Sequence, residues 1–349
     1  MSDENRAVLM TGRGAAAIAV IRLLGPGVDG FLAKYFLRKV TAGRCVHGDL
    51  QDDAGQVVDD PVVVAGENWA DLNIHGGPWV IQRVLDLAQQ FGFTTTETFQ
   101  PEPDICDGET IIDREIEAYL PLARSELAIK VLLAQHEAWL EGDLITPSAA
   151  AEILQDRSLY HLLSPPRIAI VGIPNAGKST LANQLFAQQR SIVSEIAGTT
   201  RDWVGEYANI DGLPVMLVDT PGIHATKDEI EREAIAHSHR EIQSAELIIA
   251  LLDVTRHLEE QLPIFQRMNI GIFVANKCDQ KNRWEFTGAL RISAATGDGL
   301  DELRSKIKCH FAVDVVDPSR PRWWTTRQAD LLRKFAQGEP ECHHPGIPG

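Results

Sequence analysis

Short apolar runs alternate with helical segments over residues 165–312 of this 349-residue chain. The runs are continuously apolar and rich in valine, isoleucine and leucine, as is typical of parallel strands buried on both faces. They predict strands at Ile168–Val171, Val215–Asp219, Leu247–Asp253, Ile270–Asn276 and Ala289–Ser293. Alternation of this kind predicts an α/β domain, with helices on both faces of a mostly parallel sheet.

Residues 1–100 show a mixed pattern of short strands and amphipathic helices. Apolar runs bounded by turn residues predict two strands and one hairpin, at Ile18–Leu23, Leu72–Gly77 and Asp49–Ala65. The hairpin is expected to turn at Asp52–Gly55, with Val57–Val58 and Val62–Val64 as strand residues. Helices are expected over Gly27–Lys39 and Pro78–Gln90. Together these elements predict a small α+β domain.

Apolar residues recur at three- and four-residue intervals from Ile111 to Leu163, which predicts helices. Pro121 is expected to break them, and Thr146-Pro147 to start a new one. A stiff Ser164–Pro166 linker follows, and one more helix is expected over Thr326–Gln337. The predicted division is an α+β domain, a helical segment with its linker, a central α/β domain and a shortened helical tail, over residues 1–100, 101–164, 165–312 and 313–349.

Composition and charge narrow the class of protein. Hydrophobic residues make up 44% of the chain and the net charge is −16. The longest apolar run, Leu247–Val254, is too short to span a bilayer, so no membrane contact is expected. A polar N-terminus and scattered cysteines without a CxxC pair predict a cytoplasmic protein with reduced thiols. Tight binding to a nucleic-acid backbone would need a local basic patch, and the sequence has no long basic cluster.

Residues Gly172–Ser179, followed by Thr180, match the phosphate-binding pattern G-x-x-x-x-G-K-[ST]. The motif follows a predicted strand and precedes a helix expected over Leu181–Ala187, and this agreement disfavours a chance glycine turn. In such loops the backbone N–H groups surround phosphates, the lysine reaches the β- and γ-phosphates, and the serine hydroxyl ligates Mg²⁺. Nucleotide-binding contacts are therefore predicted at Asn175, Ala176, Gly177, Lys178, Ser179 and Thr180.

Two further motifs predict contacts to the γ-phosphate and to Mg²⁺. Asp219-Thr-Pro-Gly222 follows a predicted strand, so the Asp219 carboxylate can hold Mg²⁺ and the Gly222 N–H can meet the γ-phosphate. Thr200, within Gly198–Asp202, can complete the Mg²⁺ shell. Each motif is weak alone, but their order and spacing support each other.

Base recognition is predicted after the last two strands. Asn276-Lys277-Cys278-Asp279 ends one strand, and the two oxygens of Asp279 match the adjacent N–H donors that guanine presents and adenine lacks. Ser293 and Ala294 follow the next strand and are expected to hold the base through their backbone. The motifs together predict a domain that binds GTP with Mg²⁺.

One residue usual in small GTPases is missing. A glutamine often follows the D-x-x-G motif and orients the attacking water, whereas Ile223 stands at that position here. An apolar side chain cannot orient water. Hydrolysis is therefore expected to use another group, such as a cation near the phosphates together with a distant acid.

Ala197–Asp202 and Ile230–Ile235 are the most specific parts of a resemblance to the MnmE (TrmE) family of tRNA-modification GTPases. This resemblance is strong over about residues 165–312 and implies a K⁺-assisted GTPase that dimerises through its G domains. It implies that K⁺ is held by Asn175, Ser194, Ile196 and Thr199. Glu231 matches the family's switch acid, the alternative being an exposed acid of an acidic helix. The expected catalytic residues are Lys178, Thr200, Gly222 and Glu231.

The resemblance extends more weakly to Gly12–Leu23 and His75–Pro78, which are similar to the family's folate-binding domain. Arg22 and Asp71 match its folate-contact positions, although the family usually has glutamate at the second. Two departures concern the chemistry: the family's Asn-Gly-Lys stretch after this domain and its terminal Cys-x-Gly-Lys are absent. By resemblance alone, a reduced folate of the 5,10-methylenetetrahydrofolate type is implied as a cofactor.

Three functions follow from these observations. The first is GTP hydrolysis in tRNA wobble-uridine modification, with a flavoprotein partner of the MnmG/GidA type and indirect contact to tRNA. The second is a regulatory GTPase switch that has lost the modification chemistry. The third is a ribosome-assembly GTPase, which the acidic composition disfavours.

Overall fold

The computed structural model of the chain describes residues 4–12, 16–96, 100–140, 146–186, 205–218, 242, 244–266, 268–284 and 287–338. These residues form two compact units, one ending at Cys106 and the other starting at Asp107. No helix within the described ranges combines the length and the apolar character needed to cross a bilayer.

The N-terminal unit is an α+β fold. Its elements in chain order are β1 (Arg6–Leu9), β2 (Ile18–Leu24), α1 (Val28–Tyr35), β3 (Cys45–His47), β4 (Leu50–Gln51), β5 (Val57–Asp59), β6 (Val62–Gly66), β7 (Trp69–His75), α2 (Pro78–Phe91) and β8 (Thr94–Thr95). Six strands form one sheet in the order β3-β6-β7-β2-β1-β8, which is antiparallel except at β1 and β8. Apolar residues of both helices, among them Phe31, Tyr35 and Val84, pack with residues of the sheet in one core.

The predicted hairpin over Asp49–Ala65 is only half right. The turn at Asp52–Gly55 joins β4 to β5 in a separate two-stranded sheet, whereas β6 pairs with β3 and β7. Pro61 precedes β6 and has no backbone N–H to donate, which favours a break in the strand there. The two residues after β6 then form a tight turn, in which Asn68 adopts φ +62° and so brings β7 back beside β6. The strand residues Val57–Val58 and Val62–Val64, predicted for one hairpin, therefore belong to two strands in two different sheets.

The second unit contains helices and a central sheet. Its elements are α3 (Ile111–Tyr119), α4 (Glu126–Leu133), α5 (Gln135–Leu140), α6 (Pro147–Gln155), α7 (Ser158–Leu163), β9 (Arg167–Val171), α8 (Lys178–Phe186), β10 (Gly205–Ile210), β11 (Leu213–Val218), β12 (Leu247–Asp253), α9 (Leu258–Gln261), β13 (Ile272–Asn276), β14 (Ala289–Arg291), α10 (Leu300–His310) and α11 (Thr326–Ala336). The break at Pro121 is a 3₁₀ turn, and Thr146 caps α6 through its hydroxyl, as expected.

The central sheet has the order β10-β11-β9-β12-β13-β14. All of its pairings are parallel except that of β10 with β11, which form an antiparallel hairpin. β12 is buried along its whole length, as its unbroken apolar run indicates. The α/β fold class is thereby confirmed. The helix after the phosphate-binding motif begins at Lys178 rather than Leu181, because a loop of this type ends inside the first helical turn.

The C-terminal helix α11 packs with α3 and α6 in this unit. Glu115 on α3 is almost fully buried and accepts hydrogen bonds at 2.7 Å from Nε and Nη2 of Arg327. The same carboxylate accepts bonds from the Thr325 hydroxyl at 2.9 Å and the Gln328 amide at 2.8 Å. A buried carboxylate is stable only when it is paired and hydrogen-bonded in this way. The tail helix is therefore an integral part of the helical assembly.

Candidate nucleotide-binding site

The loop between β9 and α8 has the backbone shape that a phosphate cradle requires. Asn175 and Gly177 both adopt positive φ angles, of +63° and +101°. A Cβ atom at Gly177 would lie 2.4 Å from Nδ2 of Asn276, and one at Gly172 would lie 2.4 Å from the backbone oxygen of Leu251. Only glycine fits such close approaches without displacing the neighbour. The two motif glycines are thus required by this tight packing as well as by phosphate binding.

Lys178 is the first residue of α8, and its ammonium group turns back over the loop. Its Nζ donates hydrogen bonds to the backbone oxygens of Gly172 at 3.0 Å and Ile173 at 3.2 Å. Burial lowers the pKa of this ammonium. A half-buried positive charge held beside the helix N-terminus suits a phosphate, and the Ser179 hydroxyl is exposed next to it, where Mg²⁺ would be ligated.

Asn276 connects the phosphate-binding loop to the predicted base-binding segment. It is 2% exposed, and its Nδ2 donates to the backbone oxygen of Ala176 at 2.8 Å. Its Oδ1 accepts a hydrogen bond from the Ala294 N–H at 2.9 Å. One side chain therefore fixes three loops, after β9, β13 and β14, relative to each other. This is the arrangement expected at the carboxyl edge of a parallel sheet.

The remaining predicted base contacts lie at the same edge. Asp279 is exposed, and its carboxylate accepts no hydrogen bond from any described residue, so both oxygens remain available for a base. Ser293 is buried, and its hydroxyl accepts a hydrogen bond from the Thr296 N–H at 3.2 Å, which shapes the loop after β14. The structure thus brings the phosphate and base segments together around one sheet edge.

Asp253 is a residue of this site that the motif analysis missed. It ends β12, is 3% exposed, and its Oδ2 accepts a hydrogen bond of 2.6 Å from Nζ of Lys277. Its Oδ1 accepts bonds from the Thr255 backbone and hydroxyl. Burial opposes ionisation of Asp253, but the hydrogen bonds from Lys277 and Thr255 outweigh it and lower the pKa of the carboxyl below its usual value.

A signal for Asp253 was present in the sequence. An aspartate ends an otherwise wholly apolar run, at the carboxyl end of a strand, where side chains of a functional edge are expected. Gln261 supports it from α9, because its amide both donates to the Asp253 carbonyl oxygen and accepts from the Asp253 N–H.

The other predicted contacts to the γ-phosphate, Mg²⁺ and K⁺ lie outside the described residues. They are Ser194, Ile196, Thr199, Thr200, Asp219, Gly222 and Glu231. The described strand β11 ends at Val218, directly before Asp219 in the chain.

In the N-terminal unit, the two residues matched to folate contacts bind each other. Arg22 and Asp71 are register partners on β2 and β7, and the guanidinium donates to both carboxylate oxygens, at 2.7 and 2.8 Å. The third guanidinium nitrogen donates to the Ile105 backbone oxygen at 2.6 Å, and Trp69 lies 5.2 Å from the charge. The Arg22 guanidinium and the Asp71 carboxylate therefore already have hydrogen-bond partners within the N-terminal unit.

The parallel sheet, the phosphate-binding loop with its lysine, and the base-binding segment joined to it by Asn276 define a P-loop GTPase. The tRNA modification GTPase MnmE of Aquifex aeolicus is 32% identical to this chain, over 93% of the chain and 86% of that protein. The chain belongs to the MnmE family of tRNA modification GTPases, as the sequence resemblance predicted. As a member of this class, it binds GTP with Mg²⁺ and hydrolyses GTP.

Comparisons with two further MnmE proteins and with a GTPase family model agree with this assignment. MnmE of Thermosipho melanesiensis is 29% identical over 94% of this chain and 86% of that protein. MnmE of Akkermansia muciniphila is 29% identical over 88% of this chain and 81% of that protein. The family model described as 50S ribosome-binding GTPase matches residues 167–277, which include strands β9 to β13 of the central sheet and the phosphate-binding loop. The match to MnmE thus extends well beyond the nucleotide-binding domain.

Proposed function

We propose that this chain uses GTP hydrolysis to drive modification of the wobble uridine of tRNA in the cytoplasm. The observation that carries the proposal is the similarity to MnmE over 93% of the chain, which includes the N-terminal unit and not only the GTPase domain. A ribosome-assembly role has less support, because the ribosome-binding family model matches only residues 167–277. The direct test is complementation: a bacterium that lacks its own MnmE regains modified wobble uridine when this chain is expressed, but not when the Lys178→Ala variant is.

We further propose that K⁺ assists the hydrolysis. The sequence has Ile223 where a water-orienting glutamine would stand, so hydrolysis needs assistance from another group, and a cation beside the phosphates would offset the charge that develops on them. Asn175 supports this role, since it lies in the phosphate-binding loop with φ +63° and an exposed side chain. Ser194, Ile196 and Thr199 are the proposed backbone and side-chain partners.

The test of K⁺ assistance is GTP turnover in KCl, RbCl and NaCl at equal ionic strength. Wild type is expected to turn over faster in KCl and RbCl than in NaCl. The Asn175→Ser variant loses this preference, whereas a matched Asn73→Ser variant in the N-terminal unit keeps it. Equal rates in all three salts would rule out the proposed cation role.

For the chemical step we assign roles to four residues. Lys178 offsets charge on the β- and γ-phosphates, Thr200 completes the Mg²⁺ shell, the Gly222 N–H meets the γ-phosphate, and Glu231 positions the attacking water. A Glu231→Ala variant is then expected to lower the rate constant for hydrolysis while GTP affinity is unchanged. Unaltered turnover by this variant would assign the water to another group.

The assembly is also a proposal. We propose a homodimer through the G domains, and a flavoprotein partner of the MnmG/GidA type that supplies most of the contact to tRNA. The net charge of −16 favours a partner for this purpose, since an acidic surface repels the phosphate backbone. Light scattering with GDP and aluminium fluoride in KCl tests the dimer, and a stable monomer under these conditions would contradict it.

A reduced folate is a further cofactor to be tested. A pterin ring would need carboxylate acceptors, and the Arg22 guanidinium already donates one hydrogen bond to each oxygen of Asp71, so a pterin would have to share this carboxylate with the guanidinium or displace it. This observation favours the second candidate function, a GTPase switch without one-carbon chemistry. Calorimetric titration with 5-formyltetrahydrofolate separates the two: binding that an Asp71→Asn variant loses supports the modification enzyme, and no binding supports the switch.

A further inference from the structure

Two aspartates and two histidines converge at one edge of the N-terminal unit. Asp59 ends β5, Asp60 follows it, and His75 ends β7; their ligand atoms all lie within 4.8 Å of one another. His75 Nδ1 is 2.7 Å from Asp59 Oδ1 and 3.6 Å from Asp60 Oδ1. His47, on β3, lies with Nε2 3.3 Å from the other oxygen of Asp60. No nucleotide-site residue belongs to this group.

The group is held by regular backbone. Asp59 is buried, and its second oxygen accepts a hydrogen bond of 2.9 Å from the backbone N–H of His75. His75 is in register with Ile18 on β2, and the following residue, Gly76, donates its N–H to the Ala17 oxygen. The strands therefore fix both the buried carboxylate and the backbone that carries the imidazole, while Asp60 remains exposed to approach an ion.

Charge and spacing indicate a cation. Among the described residues, neither carboxylate is paired with lysine or arginine; each contacts only histidine rings as side-chain partners. With neutral histidines the group carries two negative charges, which one divalent ion neutralises. Ligand atoms that bind a tetrahedral Zn²⁺ at about 2.0–2.2 Å lie about 3.3–3.6 Å from one another. The distance from His75 Nδ1 to Asp60 Oδ1 already fits this range, and the distance from His75 Nδ1 to Asp59 Oδ1 would have to increase by under about 1 Å.

We propose that Asp59, Asp60 and His75 bind one divalent transition-metal ion, with Zn²⁺ as the representative metal, and that His47 orients Asp60 from the outer shell. Imidazole together with carboxylate is a donor set that such ions take. Asp59 belongs to the two-stranded sheet and His75 to the six-stranded sheet. The bound ion therefore joins the small hairpin sheet to the main sheet and stabilises the N-terminal unit.

The experiment uses the full chain without an affinity tag, treated with chelator and then titrated with ZnCl₂ by calorimetry. Cys342, His343 and His344 lie outside the described residues and are adjacent in sequence, so all variants are also made in a Cys342→Ser/His343→Gln/His344→Gln background. The test variants are His75→Gln and Asp60→Asn; the second changes an exposed side chain and so preserves the fold.

The matched control is His136→Gln. His136 pairs with Asp113 on the surface of the second unit, and no third ligand group joins that pair among the described residues. If the His136→Gln variant also lost Zn²⁺ binding, the ion would be binding to histidine–carboxylate pairs in general and not specifically to Asp59, Asp60 and His75.

The expected result is one equivalent of Zn²⁺ bound by the background protein, with affinity at least about 10-fold lower in both test variants and unchanged in His136→Gln. Zn²⁺ is also expected to raise the melting temperature of the background protein and not that of His75→Gln. Absence of binding at about 100 μM Zn²⁺, or equal binding by all variants, would overturn the proposal and leave an ordinary surface ion pair.

Discussion

Replacing Asp253 by asparagine removes the negative charge that faces Lys277 and puts an amide N–H donor in place of the acceptor there. The new amide oxygen still accepts from Thr255, so the turn after β12 is kept. Lys277 has φ +67°, an unfavourable backbone conformation that the ion pair helps to hold. Without the pair, Lys277 samples other positions, and the adjacent base-binding segment that ends at Asp279 is less ordered before GTP arrives.

The size of the effect follows from burial. A hydrogen bond between charged groups contributes about 1.5–3 kcal/mol. The Asp253 side chain is 4% exposed and that of Lys277 is 27% exposed. Water can therefore hydrogen-bond to the Lys277 ammonium in the variant and replace part of the lost interaction. We therefore expect a cost at the lower limit, about 1.5 kcal/mol in nucleotide binding, which corresponds to slightly more than about 10-fold weaker affinity for GDP.

The assay is a fluorescence titration with labelled GDP at pH 7.5. Because the pKa of Asp253 lies below its usual value, the carboxylate is ionised throughout the neutral range, and the defect is expected to be independent of pH there. Lys277→Met is expected to show a similar loss. Asp301→Asn is the control, since its carboxylate is fully exposed and pairs with Arg304 in α10. An Asp253→Asn affinity within about twofold of wild type would refute the reasoning.

Three further predictions concern binding specificity, stability and pH. Asp279→Asn is expected to weaken GTP and favour xanthosine nucleotides, because the acceptor facing the base becomes a donor; unchanged GTP affinity would contradict its base-reading role. Arg327→Ala leaves the buried Glu115 carboxylate without its charged partner, so urea unfolding should show a loss of about 3 kcal/mol, and a loss below about 1 kcal/mol would mean that the pair is not structural. Burial, and then nearby positive charges, lower the pKa of His161 from 6.5 to about 4. Between these two pH values only the unfolded chain takes up the proton, so stability falls by up to about 3 kcal/mol as the pH drops from 6.5 to 4. His161→Phe should remove that part of the pH dependence in urea titrations, and an unchanged profile would assign it to other groups.

The local sequence pattern was sufficient to identify the chain as a GTPase. The spacing from Gly172 to Ser179 and from Asn276 to Asp279, each after an apolar run, specifies a strand followed by a loop that can bind one part of a nucleotide. Such segments are contiguous, and their chemistry depends on neighbours a few residues away. The parallel strands could also be predicted, because strands buried on both faces are continuously apolar, as β12 is. The antiparallel strand β7 differs, since its residues alternate between buried and more exposed positions.

The chain's long-range pairings were decided only by the folded structure. Asn276 is hydrogen-bonded to Ala176, which is 100 residues away in the chain, and Arg327 to Glu115, which is 212 residues away. The residues that flank Asn276 or Arg327 in the sequence do not indicate which distant residue each one contacts. The pairing of β6 with β7 instead of β5, and the contact of Asp253 with Lys277, are of the same kind. Periodicity records which face of an element is buried, whereas the choice of partner depends on how all the elements pack at once.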